Sequence, residues 1–348
     1  MNASDFLGIG KVLPIDKLLE IVSTVVGRLS KSYFDRKDVD TKAYERKKIA
    51  EADAEGIKII AKAINENYEL TGGIEYKGEN IVVNSQKDLL LKYPESILIN
   101  PTIEERVKGR IGFQEVKKQL NIENVTIFAI EELKNEQSVT DESLDADWIT
   151  RFFRIVEDVS NEEMQAIWGK ILAGEIKQPK SYSLRTLELL RNLSKKEADV
   201  FVKVANFSFK SGDVSFIYKG DNDDKLSKDF GISYMDIALL KEVGLMQSGD
   251  FVHHRYPKQH TDTQQILTIG NIVIIIKIKA NTPTISMPVD VFSSIGNELL
   301  NLILPNAPFD YLRYLANSIK NENVEVKYAN IMALEGDMIT YAKPLCDF

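Results

Sequence analysis

Apolar and polar positions between residues 148 and 206 follow the period of an α-helix. In two neighbouring segments the apolar side chains recur every three or four residues, which predicts two helices that pack as a hairpin. The core positions expected from this pattern are Trp148, Phe152, Met164, Trp168 and Ile171. Ser160 with Glu163, and Ser194 with Glu197, have the spacing of a capping box and therefore predict two helix starts.

A second apolar stripe lies close to the start of the sequence. Pro14 suits the first turn of a helix, and the positions after it follow the helical period. The predicted apolar face consists of Ile15, Leu18, Leu19, Val22, Val25, Val26 and Leu29. Such a face needs a partner surface. A helix of the same or another subunit is the favoured partner, and a membrane surface is the alternative.

Charged residues and overall composition limit the class of protein. Lys11, Asp16, Lys17 and Glu20 interrupt the first apolar run, so neither a signal peptide nor a membrane-spanning helix is expected. The chain of 348 residues is 44% hydrophobic and 28% charged, which predicts two or three folded domains. The expected location is the cytoplasm, with peripheral contact to the inner membrane as an option.

Changes in the pattern divide the chain into four predicted segments. Residues 1–70 form amphipathic helices for oligomerisation or membrane-surface contact, and residues 71–100 form a small strand insert or linker. Residues 101–206 form a helical core, and residues 207–348 form an α+β domain like a winged helix. Within that domain the isoleucine-rich segment 265–279 is predicted to be a strand. The predicted fold class is therefore α-rich α+β.

The residues that carry chemistry give little support to an enzyme. His253, His254 and His260 lack the spacing of a metal site, and the single Cys346 cannot form a disulfide within the chain. We therefore predict no metal and no cofactor. The net charge of −8 argues against broad affinity for nucleic acid, because phosphate contacts need an excess of Lys and Arg.

Two alternatives remain open at this stage. Asp310, Glu325 and Lys327 resemble, weakly, the acidic and lysine elements of a metal-dependent nuclease. The helix predicted from Tyr234 to Val243 could serve as the recognition helix of a DNA-associated winged-helix regulator. It carries one lysine and two acidic residues, which is a poor composition for reading base edges.

The segments NEEMQAIWGKILAGEIKQP (161–179) and SLRTLELLRNLSKKEADVF (183–201) strongly resemble a bacterial family catalogued as domain of unknown function 2806. The resemblance covers roughly residues 105 to 345. The helix around Trp168 is also similar, more loosely, to abortive-infection proteins of the Abi-alpha group. The family brings no catalytic residues. What the resemblance implies is a bacterial or prophage protein in a phage-defence setting.

These observations predict a non-enzymatic, oligomeric effector or scaffold of bacterial anti-phage defence, of the abortive-infection type. It is expected to act by assembly with copies of itself, with membrane contact as an option. A phage or host protein is the expected trigger, and nucleic acid is not an expected partner. The winged-helix regulator is the first alternative, and the metal-dependent nuclease is the second.

Overall fold

The protein is represented by a computed structural model that describes residues 11–26, 74–77, 80–83, 103–220, 223–249, 252–335 and 338–348. The chain divides into two compact units, with the boundary between Pro179 and Lys180. This boundary lies ahead of the predicted one at residue 206. Leu29 and most of the predicted segments 1–70 and 71–100 lie outside the described residues.

The described part of the first unit is mainly helical. Its elements are β1 (Lys11–Val12), α1 (Pro14–Val26), β2 (Ile74–Lys77), β3 (Asn80–Val83), α2 (Ile103–Leu133), β4 (Val139–Thr140), α3 (Ala146–Val156) and α4 (Glu162–Lys177). The strands form two antiparallel pairs, β1 with β4 and β2 with β3. Helices α1, α3 and α4 all pack on α2, which at 31 residues is the longest of the helices described in this unit.

Helix starts follow local sequence, with one correction. Ser194 and Glu197 form the predicted capping box, in which each residue bonds the other's main-chain N–H. The box predicted at Ser160 is not the cap of α4. Asn161 caps that helix instead, because its side chain accepts the N–H of Met164 at 3.0 Å. Asn is as good a cap as Ser, so neighbouring candidates compete.

Aromatic side chains fill the core of the first unit. The ring of Phe152 lies 5.0 Å from that of Trp148 and 5.7 Å from that of Trp168. These three residues and Ile171 are buried, and Met164 is half-buried. The helical hairpin expected from the sequence thus corresponds to α3 and α4.

The second unit combines helices with a nine-stranded antiparallel sheet. Its helices are α5 (Leu184–Asn192), α6 (Lys195–Ala205), α7 (Asp223–Phe230), α8 (Tyr234–Glu242), α9 (Ser294–Leu300) and α10 (Phe309–Ile319). Its strands are β5 (Phe209–Ser211), β6 (Val214–Tyr218), β7 (His253–Tyr256), β8 (Thr263–Ile269), β9 (Ile272–Ile278), β10 (Ile285–Val291), β11 (Val324–Glu335), β12 (Met338–Tyr341) and β13 (Cys346–Asp347).

The strand order β12-β11-β9-β8-β5-β6-β10-β7, with β13 beside β11, confirms the mixed α+β class. It does not confirm a winged helix, because a nine-stranded sheet organises the unit. The segment 265–279 is strand, as predicted, but it holds two strands rather than one. That segment holds most of β8 and all of β9, and Gly270 at φ +54° makes the turn between them.

Helix α10 covers one face of the sheet. Tyr311 lies at the centre of this contact, with its ring stacked on Phe209 at a centroid distance of 5.2 Å. Its hydroxyl accepts the N–H of Tyr218 at 2.7 Å and donates to the carbonyl of Tyr218 at 3.2 Å. A buried hydroxyl with both roles satisfied fixes the position of the helix along the strand.

Close approach of α2 and α4 yields the first prediction. A Cβ at Gly169 would lie 2.4 Å from the Cβ of Phe128 and 3.0 Å from the backbone nitrogen of Ala129. We expect Gly169→Ala to lower the free energy of unfolding by about 1–3 kcal/mol, because the helices would have to separate. Urea unfolding measures this. Lys170→Ala, at the exposed next position, is the control, and equal stability of both variants would contradict the close packing.

Candidate functional site

The predicted apolar face of the N-terminal helix packs against the chain itself. Leu18 and Val22 are buried, and Ile15 and Leu19 are half-buried. Val25 and Val26 belong to α1, but only their backbone is described. Contacts with α2, α3 and α4 account for the burial of this face. The partner surface in this conformation is therefore within the same chain, and a role of α1 in oligomerisation or membrane contact stays a prediction.

A buried lysine fastens α1 to the segment that follows β4. The ammonium of Lys17 donates to the carbonyls of Thr140 at 2.7 Å and Glu142 at 2.6 Å. Burial lowers the pKa of Lys17, although the carboxylates of Asp141 and Glu142 act in the opposite direction. The buried ammonium of Lys17 thus holds α1 against the segment that follows β4. The sequence alone suggested only an interruption of the apolar run.

Helix α2 carries an apolar row that the sequence analysis missed. Ile103, Val107 and Ile111 are spaced four residues apart and are 69%, 37% and 49% exposed. We call these three residues the α2 stripe. On an ideal helix the stripe continues on the same side into Val125 and Ala129, which are fully buried. The i, i+4, i+8 spacing could have revealed the stripe, but only the structure shows that it is exposed to solvent.

Charged residues flank the α2 stripe. Arg106, Lys108 and Arg110 are exposed within the same two turns, and Glu104 is the one acidic residue there whose side chain is described. The bare part ends near Lys118, whose ammonium pairs with Glu157 at 3.0 Å. Beyond this ion pair the helix is covered by its neighbours. Among the described side chains, the border of the apolar α2 stripe is therefore mainly basic.

The three nuclease candidates take part in surface ion pairs. The side chain of Asp310 is 80% exposed and pairs with Arg313 at 2.9 Å. Glu325 lies between Lys327 at 2.9 Å and Lys277 at 3.3 Å, and hydrogen bonds to these lysines lower its pKa. Across the described ranges, no three His, Cys, Asp or Glu side chains gather as a metal-binding group. Nuclease activity stays a prediction without a supporting arrangement.

The histidines lie in different surroundings. The ring of His254 stacks on Phe216 at 4.8 Å and meets the edge of Tyr256 at 5.0 Å. Its Nε2 atom is buried without a hydrogen-bond partner, and burial lowers its pKa. Burial also raises the pKa of Tyr256 to about 12. His253 and His260 are exposed, so the three rings do not form a common site.

A buried carboxylate between two lysines is a further feature that the sequence did not reveal. Asp290 of β10 is 3% exposed. Its carboxylate lies 2.9 Å from the ammonium of Lys241 in α8 and 3.7 Å from that of Lys219. Asp290 lies between the apolar residues Val289 and Val291 of β10. Because α8 covers that position, the two lysines compensate the buried charge and tie the helix to the sheet.

Among the described helices, none combines the length and apolar composition needed to cross a bilayer. The chain belongs to the family described as "Protein of unknown function (DUF2806)", whose model matches residues 105–316. This confirms the predicted family over a shorter range than expected. No curated protein and no solved structure gives a significant match.

The burial of α1 predicts the effect of shortening one leucine. We expect Leu18→Ala to cost about 3 kcal/mol of unfolding free energy, because it opens a cavity between α1 and its neighbours. Leu13→Ala is the matched control, since Leu13 is exposed just before the same helix. Chemical denaturation of both variants measures the difference. A Leu18 variant as stable as the control would mean that α1 does not dock as described.

The environment of His254 predicts a pH dependence of stability. Its folded-state pKa lies below the ordinary value of 6.5, so the unfolded state binds more protons as the pH falls through this region. Stability should therefore decrease between about pH 7.5 and about pH 5.5. His254→Phe should reduce that decrease, and the exposed His260→Phe should leave it unchanged. Urea unfolding midpoints of the wild type and both variants at the two pH values test this. The same loss of stability between the two pH values in all three proteins would refute it.

Proposed function

We propose that this protein acts through assembly and contact rather than through turnover, as an oligomeric effector or scaffold of bacterial anti-phage defence. The observation that carries the proposal is the exposed α2 stripe. The stripe presents a row of aliphatic side chains to solvent, whereas the residues that continue it along the helix, Val125 and Ala129, are core. Burying such a side chain fully contributes about 1.5–3 kcal/mol, so a second molecule that covers the row gains a substantial driving force.

The border of the α2 stripe favours an acidic partner. Arg106, Lys108 and Arg110 would meet like charges unfavourably, so the surface that covers the row should carry Asp or Glu at its rim. A second copy of this chain fits that requirement in its overall balance, with 52 acidic against 44 Lys and Arg residues. Self-association is therefore the contact that we propose.

The defence setting rests on the resemblance of the helix around Trp168 to abortive-infection proteins. An effector of that type needs a resting form and a form that acts after infection. Contact through an exposed surface suits such a role, because binding can change with concentration or with a trigger protein. An anionic membrane surface would also suit apolar residues with a basic border, and it is the alternative partner that the experiment must separate.

Two matched double variants test the proposal. Ile103→Asp/Ile111→Asp places acidic groups in the α2 stripe, and we expect the mass in light scattering to fall to the 39.4 kDa of one chain. The control is Leu304→Asp/Val202→Asp, whose native side chains are 67% and 47% exposed and so match the first pair closely. The control should keep the wild-type mass. A stripe variant that assembles like wild type would overturn the proposed surface.

Plating efficiency of a phage panel tests the setting with the same variants. Protection by the wild type and the control, lost in the stripe variant, supports an assembly-dependent defence effector. Co-sedimentation with vesicles of anionic phosphatidylglycerol separates the membrane alternative. If the wild type is monomeric in solution and binds these vesicles, and the stripe variant does not bind them, then membrane contact replaces self-association as the role of the stripe.

A further inference from the structure

Helix α8 of the second unit has apolar residues on its outer side as well as on its inner side. Ile237 and Leu240 belong to the inner side and are buried. Tyr234 and Met235, in the first turn, are 82% and 71% exposed. A helix that is apolar all round is normally covered on every side. The outer side of α8 therefore has the composition of a contact surface.

The outer residues of α8 follow the helical period. Met235, Leu239 and Glu242 occupy positions i, i+4 and i+7, so they lie on one side of the helix, and Tyr234 precedes Met235. Leu239 is half-buried and Glu242 is exposed. We call these four residues the α8 face. Tyr and Met are enriched in the cores of protein interfaces, whereas charged residues are typical of the rim.

Helix α8 has three charged residues, of which Glu242 belongs to the α8 face. Asp236 pairs with Lys203 at 2.8 Å, and Lys241 pairs with the buried carboxylate of Asp290 at 2.9 Å. These two charges are therefore compensated within the second unit. Glu242 gives the α8 face an acidic end.

We infer that the α8 face of one copy covers the α2 stripe of a second copy. This inference rests on the proposed self-association through the α2 stripe, and it names the surface that the stripe meets. The stripe needs an apolar surface with an acidic rim, and the α8 face has this composition. Each surface extends over eight residue steps of a helix, which is about 12 Å, so the two apolar rows match in length.

Charge determines the direction in which the two helices lie. Arg110 precedes Ile111 at one end of the α2 stripe, and Glu104 follows Ile103 at the other end. A parallel arrangement brings Glu242 next to Arg110, whereas an antiparallel arrangement would bring it next to Glu104. Opposite charges attract across an interface and like charges repel. The helices are therefore parallel, with Glu242 of one copy beside Arg110 of the other.

Two complementary variants test this contact. Tyr234→Asp/Met235→Asp disrupts the α8 face and leaves the α2 stripe intact, whereas Ile103→Asp/Ile111→Asp does the reverse. Acidic residues suit the first turn of a helix, so the α8 variant should keep its fold, which circular dichroism checks. Each variant alone should have the mass of one chain in light scattering. An equimolar mixture should assemble again, because each variant supplies the surface that the other lacks.

The results separate this contact from its alternatives. If the stripe pairs with another stripe, the α8 variant alone assembles like the wild type. That result, beside a monomeric stripe variant, overturns the inference and leaves the proposed function in place. A mixture that stays monomeric also overturns the inference. A monomeric wild type would refute the proposed function itself, and this contact with it. The control is Leu304→Asp/Val202→Asp in the same unit, which should keep the wild-type mass.

Charge reversal tests the direction of the helices. Glu242→Arg places like charges together and should weaken assembly about fivefold in sedimentation velocity, and Arg110→Glu should do the same. A chain with both changes regains an opposite pair and should assemble within about twofold of the wild type. Glu322→Arg, at another exposed position of the second unit, is the control and should have no effect. A double variant as weak as the single variants would overturn the pairing of Glu242 with Arg110.

Discussion

The close contact of α2 and α4 at Gly169 is the constraint on which the first unit depends. A side chain at this position would collide with Phe128, so the two helices can approach only because glycine has none. The contact places the second half of α2 among α1, α3 and α4, where Val125 and Ala129 are buried. A helix of 31 residues is about 46 Å long, and α4 has only 16 residues. The first half of α2 therefore extends past α4, and the α2 stripe stays exposed.

Strand register plays the corresponding part in the second unit. Because side chains alternate between the two faces, the pairing of β6 with β10 places Tyr218 toward α10 and Asp290 toward α8. Tyr311 fastens α10 to one face, and the Lys241–Asp290 ion pair fastens α8 to the other. A shift of one residue in this pairing would reverse both arrangements.

Sequence patterns predicted those features that depend on neighbours in the chain. The Ser194–Glu197 capping box and the aromatic hairpin of α3 and α4 follow from spacing alone. The start of α4 was misplaced by one residue, because Ser160 and Asn161 are both good caps and tertiary contacts select between them. One of these contacts is the bond from the Asn121 side chain to the Ser160 hydroxyl.

Features that depend on distant residues could not be predicted in this way. The apolar face of α1 gave no indication of whether its own chain or another would cover it. The hydrogen bonds of the Lys17 ammonium involve carbonyls more than 120 residues away in the sequence. The burial of Asp290 depends on the compensating Lys241, which α8 brings from a distant part of the sequence. The exposed α2 stripe has the same four-residue spacing as the buried Val125 and Ala129, so periodicity cannot separate a core face from an exposed one.

We propose that the molecule works by associating with copies of itself through the α2 stripe. Sedimentation velocity of the wild-type protein over a wide concentration series tests this self-association. The average mass should rise with concentration toward a multiple of 39.4 kDa. A mass that stays at the value of a single chain at every concentration would contradict it.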